Sequence, residues 1–180
     1  MAESRPRKPR PPLDAERLSE LMLAYVARFA TSRAKLRAYL ARKLRERGWA
    51  GPGEPPTEEL VAKAARAGFV DDAVYALGKA RSLTQRGYGS RRVRQALLAA
   101  GIEDEDSAAA RDHAAEGAVE AALRFARRRR FGPFAATPAD PQLREKQLAA
   151  MLRAGHALPL SRAILNHRPG SEIDIQAIDE

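Results

Sequence analysis

The segment RGYGSRRVR, residues 86–94, holds four arginines within nine residues. Each guanidinium group presents its N–H donors in a rigid planar fork, which matches the geometry of phosphate and carboxylate groups. The segment also has two glycines, but it lacks the G-x-x-x-x-G-K-[ST] pattern of a phosphate-binding P-loop. The chemistry that these residues indicate is therefore recognition of an anionic partner, and not the transfer of a phosphoryl group.

The other residues that could do chemistry form no catalytic pattern. The three histidines, His113, His156 and His167, lack the spacing of metal ligands, and His156 is expected to have a partly buried structural role. The chain has no cysteine, so it has no thiolate nucleophile and no disulfide. Asp71 and Asp72 resemble an acid/base or metal pair, but they stand where a helix is predicted to begin, which favours capping. We expect no catalytic residue, no metal and no cofactor.

The charge of the whole chain also indicates an anionic partner. Its 180 residues carry a formal net charge of +9, and 26 of the 32 basic residues are arginine. Basic clusters occupy 28–47, 79–94 and 124–130, while 103–120 is acidic. A single charged run on a helix is usually a solvated surface, but recurrence in three places favours binding to nucleic acid or to a nucleoprotein surface.

The pattern of apolar residues predicts helices along most of the chain. From Leu13 onward, apolar residues recur at helical spacing, with Asp14 as a predicted N-cap of the first helix. A second helix is predicted over Arg33–Arg47, and Thr57 is predicted to cap a third. Aromatic residues are only 6% of the chain, and β-branched runs are few, as expected for helices packed on helices.

The same plan recurs later in the chain. A helix is predicted from Asp71 or Asp72 to near Gly87, and another in EDEDSAAARDHAA, residues 103–115, with its acidic residues in the first turn. Three predicted middle helices end in a glycine, at Gly48, Gly101 and Gly155, which are 53 and 54 residues apart.

This near-constant period predicts an all-α fold of three tandem three-helix repeats that form an elongated, curved helical array. The expected segments are a disordered basic tail (1–12), helical repeats 1, 2 and 3 (13–68, 69–115 and 116–167) and an acidic C-terminal tail (168–180).

Two segments together resemble the signature of the RecX family of regulatory proteins. They are GFVDDAVYA, residues 68–76, and RGYGSRRVRQALLAAGI, residues 86–102. The resemblance covers roughly residues 18–166. It implies a non-enzymatic protein that binds in the groove of the RecA filament on single-stranded DNA. It further implies that the protein mainly inhibits the recombinase, ATPase and coprotease activities of RecA in DNA repair and recombination.

The candidate residues follow from the basic clusters and from this resemblance. The predicted filament-binding residues are Arg33, Arg37, Arg86, Tyr88, Arg91, Arg92, Arg94, Arg127 and Arg128. The predicted structural caps and turns are Gly48, Asp71, Asp72, Gly87, Gly89, Gly101 and Gly155.

Two other functions remain open from the sequence alone. The protein could bind DNA alone, through helix-turn-helix-like units. It could also be an enzyme, which the sequence favours less. The N-terminus has no apolar signal region, and no apolar run approaches the length needed to span a membrane. We therefore expect a cytoplasmic protein, monomeric, with possible weak direct binding to DNA.

Overall fold

A computed structural model describes residues 11–172 of the chain. Within that range the chain forms nine α-helices and one short 3-10 helix, and no β-strand. The helices are α1 (Ala15–Val26), α2 (Arg33–Arg47), α3 (Thr57–Arg66), α4 (Asp72–Gln85), α5 (Ser90–Leu98), α6 (Ala108–Glu116), α7 (Ala118–Arg129), α8 (Pro141–Arg153) and α9 (Leu158–Asn166), with the 3-10 helix at Gly132–Phe134. The predicted all-α class is confirmed.

More than half of each predicted tail lies outside the described residues. The expected disordered basic tail covers residues 1–12, of which only the last two are described. The expected acidic tail covers 168–180, and the structure describes it only as far as residue 172. In the described part of the chain, no helix is long and apolar enough to cross a membrane.

The beginnings of the first three helices show which caps the sequence predicts correctly. Asp14 caps α1, because its Oδ1 accepts a hydrogen bond of 2.9 Å from the backbone N–H of Arg17. α2 spans Arg33–Arg47 as predicted, and its N-cap is Ser32. The prediction that Thr57 caps α3 is wrong. Thr57 is instead the first residue of α3, its N–H donates to the carbonyl of Pro55, and the N-cap position is held by Pro56 without a side-chain hydrogen bond.

The acidic run also differs from its prediction. We expected its acidic residues to lie in the first turn of a helix, but α6 begins only at Ala108. Residues 103–106 form the turn that precedes it. Arg111 holds this turn from within α6, because its guanidinium donates to the backbone carbonyl of Asp104 at 2.9 Å. The run is therefore a capped turn, and its side chains are not part of the helix.

The first compact unit ends at Asp71 and contains α1, α2 and α3. Its core is aliphatic and is formed by Leu13, Leu18, Met22, Leu36, Leu40, Leu60, Val61, Ala64 and Val70. The chain that enters α1 is paired with the chain that leaves α2. The N–H of Leu13 donates to Gly48 at 3.0 Å, and the carbonyl of Leu13 accepts from Ala50 at 2.8 Å.

The second compact unit begins at Asp72 and contains α4 to α9. It has two core clusters, one around Val93 and Leu97 and the other around Met151 and Ile164. Tyr88, which precedes α5, packs against both clusters. The predicted boundary between repeats 2 and 3, at residue 115, falls inside this unit and stays a prediction.

Candidate functional site

The RGYG segment, residues 86–89, connects α4 to α5 and lies against α7 and α8. Gly87 has a φ of 77°, and a Cβ atom there would lie 3.0 Å from the backbone nitrogen of Phe125. At Gly89 a Cβ would collide with the carbonyl group of Gly155. Gly87 is therefore favoured by its positive φ and by the tight approach of α7, whereas Gly89 is needed because the backbone that follows α8 passes too close for any side chain.

The end of α8 caps the beginning of α5. The first N–H groups of a helix have no partner within the helix, and α5 has no side-chain cap at its N-cap residue, Gly89. The N–H of Gly89 donates to Ala154 at 3.0 Å, and that of Arg91 donates to Gly155 at 3.2 Å. The partial negative charge at the C-terminus of α8 thus meets the partial positive charge at the N-terminus of α5.

His156 completes this junction from inside the protein. Its side chain is 1% exposed, and its Nε2 lies 3.2 Å from the carbonyl oxygen of Gly87. Because burial disfavours the charged ring, the pKa of His156 is lowered from 6.5 to about 4, although the hydrogen bond to Gly87 opposes that shift. At neutral pH the ring is uncharged, and it must carry its proton on Nε2 in order to donate to a carbonyl.

Helix α5 separates its apolar and charged residues between two faces. Val93 and Leu97 are 1% and 2% exposed and belong to the core. Arg91, Arg92 and Arg94 are exposed, and none of them forms an ion pair with any described residue. We call these three side chains the α5 arginine surface. It presents three unneutralised guanidinium groups from a helix whose position is fixed by α8.

The arginines of α7 divide into two kinds. Arg124 donates to the carbonyl of Gln85 at 3.0 Å, and Arg128 donates to the carbonyl of Arg86 at 2.5 Å. These carbonyls belong to the last residue of α4 and to the residue that follows it, so the two side chains stabilise the end of that helix. Arg127 is exposed, with its guanidinium carbon 4.9 Å from the centre of the Phe134 ring. The anchoring role of Arg124 and Arg128 is not apparent from the sequence.

The side chains of Arg86 and Tyr88 lie next to each other. The guanidinium carbon of Arg86 is 5.7 Å from the centre of the Tyr88 ring, and its Nε donates to the carbonyl of Ser82 at 3.1 Å. Tyr88 is half-buried, whereas Arg86 is exposed. The position of Arg86 is therefore set by contacts within the protein, and its exposed charge adds to that of the α5 arginine surface.

Two predicted binding residues belong to the first compact unit. Arg37 forms a two-pronged ion pair with Glu58, at 2.5 and 2.8 Å, and this hydrogen bonding lowers the pKa of the Glu58 carboxyl. Arg33 lies one helical turn earlier on α2 and is exposed. The charge of Arg37 is thus largely balanced by a neighbouring acid, unlike the charges of the α5 arginine surface.

The remaining predicted residues end or begin helices. Gly48, Gly101 and Gly155 have φ angles of 78°, 67° and 93°, and each follows a helix, α2, α5 and α8 respectively. Asp72 is the first residue of α4 and is buried, whereas Asp71 is exposed. Among residues 11–172, no group of three or more histidine, aspartate or glutamate side chains could hold a metal ion.

Comparison with known proteins identifies the family. Residues 71–110 match the family model described as RecX, second three-helix domain. The chain is 32% identical over 173 residues to the regulatory protein RecX of Myxococcus xanthus (strain DK1622). The aligned region covers 92% of this chain and 90% of that protein.

Two solved structures have the same fold. The crystal structure of RecX from Lactobacillus salivarius matches with a TM-score of 0.60 at 18% identity, over 92% of this chain and 96% of that one. A second crystal structure, of regulatory protein RecX, matches with a TM-score of 0.56 at 20% identity, over 80% and 68%. Both are helical-repeat proteins, so the predicted helical-repeat fold is confirmed. The chain belongs to the RecX family of regulatory proteins.

Proposed function

We propose that this protein binds the groove of the RecA filament on single-stranded DNA and restrains the ATPase, recombinase and coprotease activities of RecA. The observation that carries the proposal is family membership over nearly the whole chain, since the related protein is named as a regulatory protein. RecX is not a class of enzyme, and the proposed action needs binding alone.

The α5 arginine surface supports an anionic partner. Arg91, Arg92 and Arg94 are exposed within the part of the chain that matches the family model. An arginine that binds phosphate releases counterions, and one that binds carboxylate forms a charge-assisted hydrogen bond. A filament of protein on DNA offers both groups. In this proposal the three side chains supply much of the attraction.

The junction between α5 and α8 supports a preorganised surface. Two backbone hydrogen bonds hold the first turn of α5, which carries Arg91 and Arg92. The hydrogen bond from His156 holds the preceding loop at Gly87. A surface that is already ordered in the free protein loses less conformational entropy on binding, so more of the contact energy appears as affinity.

The experiment that tests the proposal is RecA ATPase on single-stranded DNA with this protein titrated in. We expect the ATPase rate to fall as the protein is added, at concentrations well below those needed to coat bare DNA. Sedimentation of the free protein tests the proposed monomer. An ATPase rate unchanged at every concentration, with RecA and DNA in their usual ratio, would contradict the proposal.

A second function is favoured by the position of α5. This basic helix follows a short glycine-containing turn within a three-helix unit, as in helix-turn-helix proteins that bind duplex DNA alone. Binding measured against salt, with and without RecA, separates the two. A lone DNA-binding protein binds tightly with a sequence preference, whereas a filament regulator binds bare DNA weakly and with steep salt dependence.

A further inference from the structure

Three aromatic side chains form a connected group in the first compact unit, at the end of α1. The rings of Tyr25 and Tyr39 are stacked, with 4.0 Å between their centres and 16° between their planes. The ring of Phe29 continues the group, 5.3 Å from Tyr25. The two tyrosines are half-buried, but Phe29 is 56% exposed. The large apolar ring of Phe29 is therefore exposed to solvent and packs against the half-buried aromatic pair.

The position of the Phe29 ring is set by its backbone. α1 ends at Val26, but the turn beyond it is hydrogen-bonded, because the N–H groups of Arg28 and Phe29 both donate to the carbonyl of Tyr25, at 3.1 and 3.0 Å. The next part of the chain is anchored, since Thr31 is buried in the protein. The exposed ring is therefore held by ordered backbone on both sides.

The surroundings of this aromatic group are cationic. The guanidinium carbon of Arg42 and the Nζ of Lys43 lie 5.6 and 5.8 Å from the centre of the Tyr39 ring. Glu46 pairs with both and is the only acid in residues 28–47, which contain eight basic residues. Arg28, beside Phe29 in the chain, is exposed and has no ion pair with any described residue.

We propose that Phe29 is a stacking platform for a base of single-stranded nucleic acid, with Arg28 next to it in the chain and Arg42 against Tyr39 of the same aromatic group to attract the phosphate backbone. The proposal rests on the proposed function, which brings the protein to a single DNA strand. Proteins that bind single strands combine exposed aromatic rings, on which bases stack, with a positively charged path for the backbone. The cations beside the aromatic group favour a nucleic-acid strand over an uncharged apolar partner.

The test compares two oligonucleotides that share their phosphates but differ in their bases. One is oligo(dT), and the other is an abasic strand of the same length. The wild-type protein should bind oligo(dT) more tightly, and Phe29→Ala should weaken that binding about tenfold while the affinity for the abasic strand stays the same. Oligo(rU) of the same length, measured in parallel, tells whether a DNA strand or an RNA strand is preferred.

A matched control is available in the same unit. Phe69 is also exposed, at 55%, so Phe69→Ala removes a similar ring without touching the aromatic group. It should leave both affinities unchanged. In a second variant, Phe29→Trp, the base-stacking ring is kept and becomes fluorescent, so oligo(dT) should quench the emission that this variant shows beyond that of Trp49 in the wild-type protein, and the abasic strand should not. This readout remains informative even if Phe29→Ala alters the fold.

Several outcomes would overturn the inference without touching the proposed function. They are equal binding of both strands by the wild-type protein, equal weakening of both by Phe29→Ala, or no quenching in Phe29→Trp. Loss of RecA binding by Phe29→Ala with unchanged affinity for oligo(dT) would assign the ring to a protein contact instead. Conversely, base-dependent binding by a protein that never slows the RecA ATPase would uphold the stacking site and contradict the proposed function.

Discussion

His156 and Gly87 are 69 residues apart in the chain, yet the ring Nε2 of His156 donates a hydrogen bond of 3.2 Å to the carbonyl oxygen of Gly87. This bond joins the residue that follows α8 to the loop that precedes α5. It lies beside the two backbone hydrogen bonds by which α8 caps α5. The position of the α5 arginine surface thus depends on residues at the end of α8, which come much later in the chain.

Replacing His156 with alanine should destabilise the protein by about 2–4 kcal/mol, because it opens a cavity and leaves the carbonyl of Gly87 without its donor. Urea unfolding followed by circular dichroism measures this loss. His167→Ala is the matched control, since His167 is only half-buried, and its effect should stay within about 0.5 kcal/mol. Equal effects of the two substitutions would show that the buried hydrogen bond contributes nothing.

The lowered pKa of His156 predicts a pH dependence of stability. The folded ring has a pKa of about 4 and the unfolded ring one near 6.5, so between these values the unfolded state binds the extra proton. The contribution of His156 is fully present above pH 6.5 and is lost progressively as the pH falls to 4. The loss amounts to at most about 3 kcal/mol.

Carboxyl groups also titrate at low pH, so the measurement must be a difference. Unfolding free energies of the wild-type protein and of His156→Phe are compared at several pH values between 4 and 7. The stability of the wild type should fall more steeply toward pH 4, because phenylalanine cannot take up a proton. Parallel curves for the two proteins would mean that His156 does not titrate in this range.

Gly155→Ala should move α5. At a φ of 93°, any side chain is strained, and a Cβ there would also collide with the backbone nitrogen of Arg92. Gly170→Ala is a close control, because Gly170 has a φ of 75° but has nothing within 4 Å of the added Cβ. Both variants carry the cost of the backbone conformation, of about 1 kcal/mol, whereas only Gly155→Ala should also weaken RecA inhibition several-fold. Similar inhibition by the two variants would argue against a fixed α5.

Replacing Arg91, Arg92 and Arg94 together with alanine should leave α5 folded, because alanine is the best helix former and the core residue Val93 is retained. If each arginine makes a charge-assisted contact with the filament, even a net loss of about 1.4 kcal/mol weakens binding tenfold. The ATPase titration should therefore need about ten times more of the variant. Val93→Asp should behave differently and unfold the unit, since it buries an unpaired carboxylate.

The control for this triple variant removes the same charge elsewhere. Arg144, Arg153 and Arg162 are exposed on α8 and α9, and their replacement by alanine lowers the net charge equally. That protein should inhibit RecA with a nearly unchanged midpoint. If both triple variants lose inhibition to the same degree, overall charge acts and the α5 arginine surface has no special role.

Arg128→Ala should lower the stability of the protein by about 1 kcal/mol, since the carbonyl of Arg86 then loses its donor at the end of α4. Arg129 is the matched control, because it is an exposed neighbour on the same helix, and among residues 11–172 it has a contact with the Phe131 ring but no hydrogen bond to a carbonyl. Arg129→Ala should change the thermal midpoint by less. If Arg128→Ala leaves the thermal midpoint unchanged, its hydrogen bond does not stabilise the end of α4. Arg128 would then remain only a predicted filament contact.

Local patterns in the sequence were sufficient for most helices and for the family. The cap at Asp14 and the span of α2 depend on residues within one or two turns, so spacing and capping chemistry predict them. Thr57 and the acidic turn at 103–106 were mispredicted, because several residues there were equally good candidates for the first turn. Which of them begins the helix depends on the path of the chain that enters it, through Pro55 in one case and through the turn held by Arg111 in the other.

The composition and periodicity of the sequence alone determined that the protein is basic and is built from helical repeats. Its signature segments indicated the family. The amphipathic pattern of α5 likewise placed Val93 inward and its arginines outward. Only the tertiary structure decided that Arg128 anchors the end of α4, that Arg37 is balanced by Glu58, and that α8 and His156 hold the loop at Gly87. The physical reason is that these contacts join residues 21 to 69 positions apart. No local spacing encodes such pairs, and they form only when the helices pack.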